Sequence, residues 1–377
     1  MKKIMVIFGT RPEAIKLAPV IHALKNEKYF EVVVCSTGQH KEMLQQVLDI
    51  FNIDIDYDFN LMKPNQDLFD ITINSLSKLR DVFSTFKPDL LIVQGDTSTA
   101  FVSSLAAYYL RIKIAHVEAG LRSYDIYSPY PEEANRRFIS VISNFNFAPT
   151  EEAKNNLINE GLSKDNIFVT GNTVIDALLQ VKLMLENNRL GKKVQNELEQ
   201  SIGKDILDKP YILITLHRRE KFGTEFNKVL STIKEIAKSR PEYNFIYPVH
   251  LNPNVKNPVN EILSGIENIK LITPQDYLRF IYLMSKCFFI LTDSGGIQEE
   301  CYIFKKPIMV LRNVTERMEA VNAGYAFLVE SDENLIKSKF YEIEEKLLNN
   351  FDYFCCPNPF GSGNSAKLIT NIILKLI

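Results

Sequence analysis

Three features of the sequence predict an α/β fold with two Rossmann-like domains. Short apolar runs alternate with ten or more residues of helical periodicity; the alternation occurs as two series, one in each half; and polar or charged residues gather just after the apolar runs. Strands that alternate with helices predict parallel sheets covered on both faces. At 377 residues the chain is too long for one ordinary core and long enough for two.

The first strand is Ile4 to Phe8. It ends at Gly9, and Thr10-Arg11-Pro12-Glu13 opens a helix at once. Thr10 and Glu13 have the spacing of a capping box, and proline suits a first turn, where its missing N–H leaves no bond unmade. Arg11 and Lys16 then place two cations near the positive end of a helix dipole, which is unfavourable unless negative charge joins them. Glu13 is one source of that charge; a bound anion is the other.

Val32 to Cys35 is the second strand and Leu90 to Val93 the next. Leu90 to Leu110 has the apolarity of a membrane span, but Gln94-Gly95-Asp96-Thr97-Ser98-Thr99 lies inside it. Such a cluster is costly in lipid, so the stretch reads as strand, loop and buried helix. Ile114 to Val117 and Phe145 to Ala148 complete the first series. A domain boundary is expected near Val169 to Asn172, where Gly171 follows a short apolar run and a fresh helix begins at Thr173.

Asn187 to Lys204, rich in Asn, Lys, Gln and Glu, reads as a solvated helix or loop. The second series is Ile212 to Leu216, Phe245 to Val249, Ile269 to Ile272, Phe288 to Leu291 and Ile308 to Leu311. The tail carries Ala366, Leu368, Ile369, Ile372, Ile373, Leu374 and Ile377, the stripe of a docked helix. The domains expected are therefore 1–170 and 171–362.

Composition narrows the function. A formal net charge of -2, from 44 basic and 46 acidic residues well interspersed, provides no field for a nucleic-acid backbone. Five cysteines without C-x-x-C spacing suggest neither a disulfide framework nor a zinc site, and reduced cytosolic thiols are the default. The run after Lys2-Lys3 is too short for a secretory signal, so a cytoplasmic location without membrane attachment is expected.

In open parallel sheets, ligands bind outside the carboxyl ends of the strands. The first series offers there Arg11 and Lys16, Gln94-Gly95-Asp96-Thr97, and Glu118-Ala119-Gly120-Leu121-Arg122. The second offers His217-Arg218-Arg219-Glu220, His250-Leu251-Asn252-Pro253, Pro274-Gln275-Asp276 and Asp293-Ser294-Gly295-Gly296. Charged and amide residues at the tips of both sheets predict a cleft between the domains.

Ser294-Gly295-Gly296 is the strongest anion candidate, because two glycines allow close backbone approach and the helix that follows has free N–H groups. An ordinary tight turn fits the same residues. Glu300 suits the two hydroxyls of a ribose, or is a solvated carboxylate. Asp96 and Asp293 have the usual role of capping a helix as their alternative. Glu132 and Arg136 stand four apart, so an ion pair along one helix face is one reading. The other joins Glu132 to Asp96 and Glu118 as three carboxylates at one sheet edge, whose repulsion in a partly buried site suits acid and base roles. His217 is either a core histidine or a functional group at a strand tip.

Other chemistries lose support. His116-Val117-Glu118 resembles the H-x-E of zinc deaminases, but no P-C-x-x-C follows. The sequence has no Walker loop, no G-x-G-x-x-G after a strand, no H-E-x-x-H and no G-x-S-x-G.

Taken in order, GTRPEAIKLAP, GDTSTA, HVEAGLRS, SPYPEEANR, GNTVIDA, HRRE, PVHLNPNV, TDSGGIQEE and TERMEAV resemble the bacterial non-hydrolysing UDP-N-acetylglucosamine 2-epimerases, from about Lys3 to beyond Pro359. The resemblance implies a GT-B architecture with parallel sheets facing a central cleft, and a C-terminal helix, 363–377, packing back on the first domain. It implies nucleotide contacts at Arg11, Lys16, Gln275, Phe280, Ser294, Gly295, Gly296, Glu300 and Arg317, with Phe280 near the uracil and Glu300 on the ribose. Lys16, Asp96, Glu118, Glu132 and His217 match the catalytic positions. A second, regulatory nucleotide-sugar site would involve Gln39, Arg218 and His250.

The implied reaction is reversible epimerisation of UDP-N-acetylglucosamine to UDP-N-acetylmannosamine, by elimination of UDP to a glycal and re-addition, supplying precursors for surface polysaccharide. It needs neither cofactor nor metal, and a homodimer is expected. The chain departs from the family at Glu42, where some relatives carry glutamine, and at Met318, where relatives often have proline. The rivals are the hydrolysing branch, which releases UDP and free N-acetylmannosamine, a GT-B glycosyltransferase, and a silent UDP-sugar sensor.

Overall fold

The computed structural model describes residues 1–38, 41–61, 66–217 and 223–377, the side chains of 41–43 and 188 excepted. The chain forms two compact units, Met1–Ala177 with Phe360–Ile377, and Leu178–Pro359. The first division falls inside the helix Thr173–Glu186, beyond the expected position at 170, and the return falls at Phe360.

The first unit contains seven strands: β1 (Lys2–Phe8), β2 (Phe30–Ser36), β3 (Tyr57–Asp58), β4 (Leu90–Gln94), β5 (Lys113–Val117), β6 (Phe145–Ala148) and β7 (Ile167–Val169). They form one sheet in the order β3-β2-β1-β4-β5-β6-β7. All pairs are parallel, and β1 keeps register with β2 from Lys2 opposite Phe30 to Phe8 opposite Ser36. Ile4 to Phe8 are fully buried, as continuous apolar runs between two helix layers should be. The strand order reverses direction between β1 and β4, so the turns after these two strands flank the crevice where such sheets bind ligands.

The turn after β1 is tight. A Cβ on Gly9 would lie 2.3 Å from Thr99 Oγ1 and 2.4 Å from Thr37 Oγ1, so only glycine lets the helix Arg11–Lys25 begin there. The terminal helix Ser365–Leu376 belongs to this unit and packs on Arg11–Lys25. Its buried face is Ala366, Ile369, Thr370 and Ile373, an i, i+3, i+4, i+7 stripe. Buried Asp176 accepts from the Ser365 and Ala366 N–H groups at 3.2 and 3.0 Å, satisfying donors the helix leaves open.

The second unit contains β8 (Tyr211–Thr215), β9 (Asn244–Pro248), β10 (Ile269–Ile272), β11 (Ile290–Thr292), β12 (Ile308–Val310) and β13 (Ala326–Leu328). Their order, β10-β9-β8-β11-β12-β13, reproduces the first sheet's pattern, again all parallel. Two Rossmann-like units in one chain place the protein in the GT-B fold class. The polar stretch after Asn187 is the helix Asn188–Ile202, solvated on one side only: it buries Val194 and Leu198 and packs on the helix Tyr277–Lys286. Arg279 of the latter pairs with Glu197 at 2.9 Å.

Candidate active site

The first unit gathers its charge at the ends of β1, β4 and β5. Glu13, which capping geometry makes the partner of Thr10, is 1% exposed. Its carboxylate accepts from the Gly9 and Thr10 N–H groups at 3.1 and 2.8 Å, and from the Thr10 and Thr97 hydroxyls at 2.7 Å each. Burial pushes its pKa up against those four donors. Glu13 therefore ties the β1 turn to the β4 turn, while Lys16 reaches elsewhere.

Lys16 pairs with Glu118, whose side chain is 6% exposed. Gln94 Nε2 donates to Glu118 Oε1 at 3.0 Å and Asn172 Nδ2 to Oε2 at 2.9 Å. The carboxylate thus receives one cation and two amides, each from a different strand or helix end. Glu118 itself has φ +64°, a left-handed conformation that costs a non-glycine residue on the order of 1–2 kcal/mol. The strain turns the chain sharply as it leaves β5. His116 fixes that corner: its Nε2 donates to the Gly95 carbonyl at 2.7 Å, and burial lowers its pKa to about 4, so the ring stays neutral. The H-x-E pattern is in this way a structural histidine beside a site carboxylate.

Asp96 is bound by Arg136 through Nε at 2.8 Å and Nη2 at 2.6 Å, and its backbone carbonyl accepts from Asn135 at 2.9 Å. Arg136 also donates to fully buried Glu133 at 2.9 Å. The ion pair with Glu132 that i, i+4 spacing allows is not formed. Glu132, at the first turn of the helix Glu132–Ile142, has a buried Oε2 with no hydrogen-bond partner among the described residues. Two of the three carboxylates carry a cation: Lys16 pairs with Glu118 and Arg136 with Asp96.

In the second unit His217 follows β8 and Asp293 follows β11. Asp293 is 3% exposed and accepts the His217 backbone N–H at 2.8 Å; its other oxygen lies 3.4 Å from His217 Nδ1. The imidazole is half-exposed and stacks on His250, centroids 5.9 Å apart. His250 Nδ1 accepts the Asn252 N–H at 3.1 Å, which leaves Nε2 as its outward nitrogen. The buried aspartate thus anchors the backbone of the strand-tip histidine and sets a carboxylate beside its ring.

Ser294 begins the short helix Gly295–Glu300, and its N–H donates to Thr292 Oγ1 at 2.9 Å. Arg317 donates to Glu299 at 2.8 Å, and a Cβ on Gly295 would sit 3.3 Å from its Nη1, so the glycine leaves room for the guanidinium. Glu316 is gripped by Arg312 at 3.0 Å. Burial alone would raise its pKa, but the Arg312 hydrogen bond and the Arg317 and Arg312 charges hold it at about 2. Glu300 lies beside Gly296, its Oε1 3.6 Å from where a Cβ would be. Gln275 Nε2 donates to the Thr273 carbonyl at 2.7 Å, and Phe280 lies half-buried on the helix Tyr277–Lys286.

The structure thus brings Lys16 to Glu118, keeps Asp96 on Arg136, and sets Arg317 across Gly295. Arg11 opens its helix beside Thr10 at the same β1 turn. Gln39 and Arg218 lie outside the described residues, so of the regulatory set only His250 is placed. Sequence reasoning missed Gln94 and Asn172 as partners of Glu118, Arg136 as the partner of Asp96, and Asp293 as the partner of His217. No group of three or more His, Cys, Asp or Glu side chains suited to a metal occurs among the described residues.

Comparison with known proteins identifies the family to which the chain belongs. The family model described as UDP-N-acetylglucosamine 2-epimerase matches residues 22–374. The UDP-N-acetylglucosamine 2-epimerase of Neisseria meningitidis serogroup A is 49% identical over 99% of this chain and 99% of its own length. That of Campylobacter jejuni is 48% identical over 100% of this chain and 98% of its own. A crystal structure of the Neisseria meningitidis enzyme bound to UDP-GlcNAc superimposes with a TM-score of 0.92 at 48% identity, covering 99% of this chain and 100% of that one.

Proposed function

From the premise that the chain belongs to the UDP-N-acetylglucosamine 2-epimerase family, we propose that it interconverts UDP-N-acetylglucosamine and UDP-N-acetylmannosamine without hydrolysis. The observation that carries the reading is the full-length likeness to an enzyme solved with UDP-GlcNAc, together with a buried carboxylate, Glu118, bound to Lys16 and two amides at a sheet edge.

The C2 proton of the sugar is not adjacent to a carbonyl, so direct removal to an enolate is closed. Elimination of UDP gives a glycal, and re-addition with the proton delivered to the opposite face gives the epimer. Such a route needs a base on one face, an acid on the other, and retention of UDP between the steps. We assign the proton transfers to Asp96, Glu118 and Glu132. Glu132 suits the work because its buried oxygen holds no hydrogen bond that a proton would have to displace.

Arg11 and Lys16 meet the negative charge that grows on the departing phosphate, each fixed donor contributing on the order of 3 kcal/mol. Ser294, Gly295, Gly296 and Arg317 hold the diphosphate, Glu300 the ribose, and Gln275 and Phe280 the uracil end. His217, oriented by Asp293, assists UDP in leaving and returning. His250, with Gln39 and Arg218, forms the regulatory site. No cofactor or metal enters these steps.

The reading includes a cytoplasmic homodimer that supplies polysaccharide precursors. Exposed Phe69 and Ile73, Tyr108 and Tyr109, and Phe138 and Val141, on three successively packed helices of the first unit, supply apolar surface for a second copy. No helix among the described residues is long and apolar enough to cross a membrane.

Incubation with UDP-N-acetylglucosamine in heavy water tests the reading. Deuterium at C2 with intact UDP-N-acetylmannosamine supports it. Free N-acetylmannosamine would indicate the hydrolysing reaction, and binding without exchange a sensor.

A further inference from the structure

The chain's five cysteines fall into two classes. Cys35, Cys287 and Cys301 are buried, and burial pushes all three thiols up, Cys287 to about 12, so none offers a thiolate near neutral pH. Cys355 and Cys356 are exposed and adjacent, in the segment that follows the helix Glu333–Leu348. Their Cα atoms, joined by one peptide, stand about 3.8 Å apart, which keeps both exposed thiols within reach of one small ligand.

The backbone around them is pinned. Tyr302 donates its hydroxyl to the Cys356 carbonyl. Phe354 packs edge-on against Tyr302 at 5.2 Å and stacks on buried Tyr325 at 5.4 Å. Pro357 restricts Cys356 to extended conformations. The pair is therefore presented to solvent from a fixed segment rather than from a loose tail.

Two constraints select the ligand. The Cys355–Cys356 peptide is trans, which sets the Cα atoms about 3.8 Å apart, below the roughly 4.4–6.8 Å a disulfide prefers. A bridging atom removes that conflict. The two thiols also belong to no group of three or more metal-ligating side chains among the described residues, whereas zinc takes four ligands. The centre that fits is one that two sulfurs satisfy.

We propose that Cys355 and Cys356 form a vicinal dithiol site that chelates a trivalent arsenical, whose third valence is filled by its own substituent. With phenylarsine oxide no oxidant is required: two S–H bonds and the arsenic–oxygen bond break, two As–S bonds form, and the oxygen leaves as water with both protons.

The test is native mass spectrometry of the full chain with one equivalent of phenylarsine oxide, beside a count of thiols accessible to a chromogenic disulfide reagent. The expected result is one phenylarsine per chain, loss of both accessible thiols, and an adduct that resists excess 2-mercaptoethanol but yields to a dithiol. Cys355→Ser and Cys356→Ser, exposed changes checked for native circular dichroism, should each weaken binding by about 100-fold or more through loss of chelation. An adduct retained by the double variant, single variants that bind as tightly as the native chain, or release by monothiol would overturn the proposal.

Discussion

Replacement of Asn172 by alanine tests whether Glu118 works through its amide partners. Asn172 is 2% exposed, donates to Glu118 Oε2 at 2.9 Å, and accepts the Val174 N–H at 3.1 Å. A hydrogen bond to a charged group contributes about 1.5–3 kcal/mol. If the bond is held through the transition state, Asn172→Ala slows C2 exchange about 10- to 150-fold. Loss of the Val174 partner costs a further ~1 kcal/mol, but in stability rather than rate. Asn172→Asp keeps an acceptor for Val174 while setting a second carboxylate against Glu118, and two carboxylates in one site share a proton. Its pH profile for exchange should move up by about one unit or more. Initial rates of deuterium incorporation from about pH 6 to pH 9, with UDP affinity by calorimetry as control, measure both effects. Exchange within twofold of the native rate in both variants, with an unmoved profile, would refute the reasoning.

Arg136→Met strands the carboxylates of Asp96 and Glu133 and should cost about 3–5 kcal/mol in urea denaturation, part of it recovered when Glu133→Gln is added; an unchanged midpoint counts against the pairing. Asp293→Asn keeps an acceptor for the His217 N–H but removes the charge behind the ring, and should lower exchange at least ~10-fold with UDP affinity nearly unchanged; equal losses in rate and affinity would mean a structural role only. His116 is held neutral in the fold, at about 4 against an ordinary 6.5, so it contributes stability that is complete above pH 6.5 and lost as pH falls through that window. The shift corresponds to about 3 kcal/mol. Urea midpoints of His116→Gln should therefore fall less than native ones between those pH values, and parallel curves would contradict the assignment. Glu316, at about 2 against 4.5, acts the same way at lower pH: its contribution is present above 4.5 and lost as pH falls toward 2, which comparison with Glu316→Gln isolates.

Much of this fold is legible in the sequence because its strands are apolar runs buried on both faces. The runs at Ile4, Leu90, Ile114, Ile212 and Ile308 each become a strand. What escapes notice is short and peripheral. Tyr57–Asp58, Ile167–Val169 and Ala326–Leu328 are two or three residues long and lie at or beside sheet edges, where pairing rather than hydrophobic pattern makes the strand. The site divides in the same way. Residues at strand tips are found by the rule that ligands bind there, but their partners are not, because Asn172 meets Glu118 across 54 positions of chain and Arg136 meets Asp96 across 40. Local spacing misleads at Glu132 for a related reason. It makes Arg136 a neighbour along the helix, whereas the fold presents Arg136 with Asp96 and with Glu133, both near enough for charge-assisted bonds.

Breakage of the bond between C1 and the phosphate oxygen is the step on which the proposed mechanism rests, and positional isotope exchange reads it directly. UDP-N-acetylglucosamine carrying oxygen-18 in that bridge is incubated with the enzyme, and the recovered nucleotide sugar is assayed by phosphorus NMR. The label should scramble into the non-bridging positions of the β-phosphate at least as fast as the epimer forms, since rotation of the terminal phosphate of retained UDP makes its three oxygens equivalent once the C1–O bond is broken. Epimer that accumulates with the label still in the bridge would mean that the bond never broke, and elimination would be wrong.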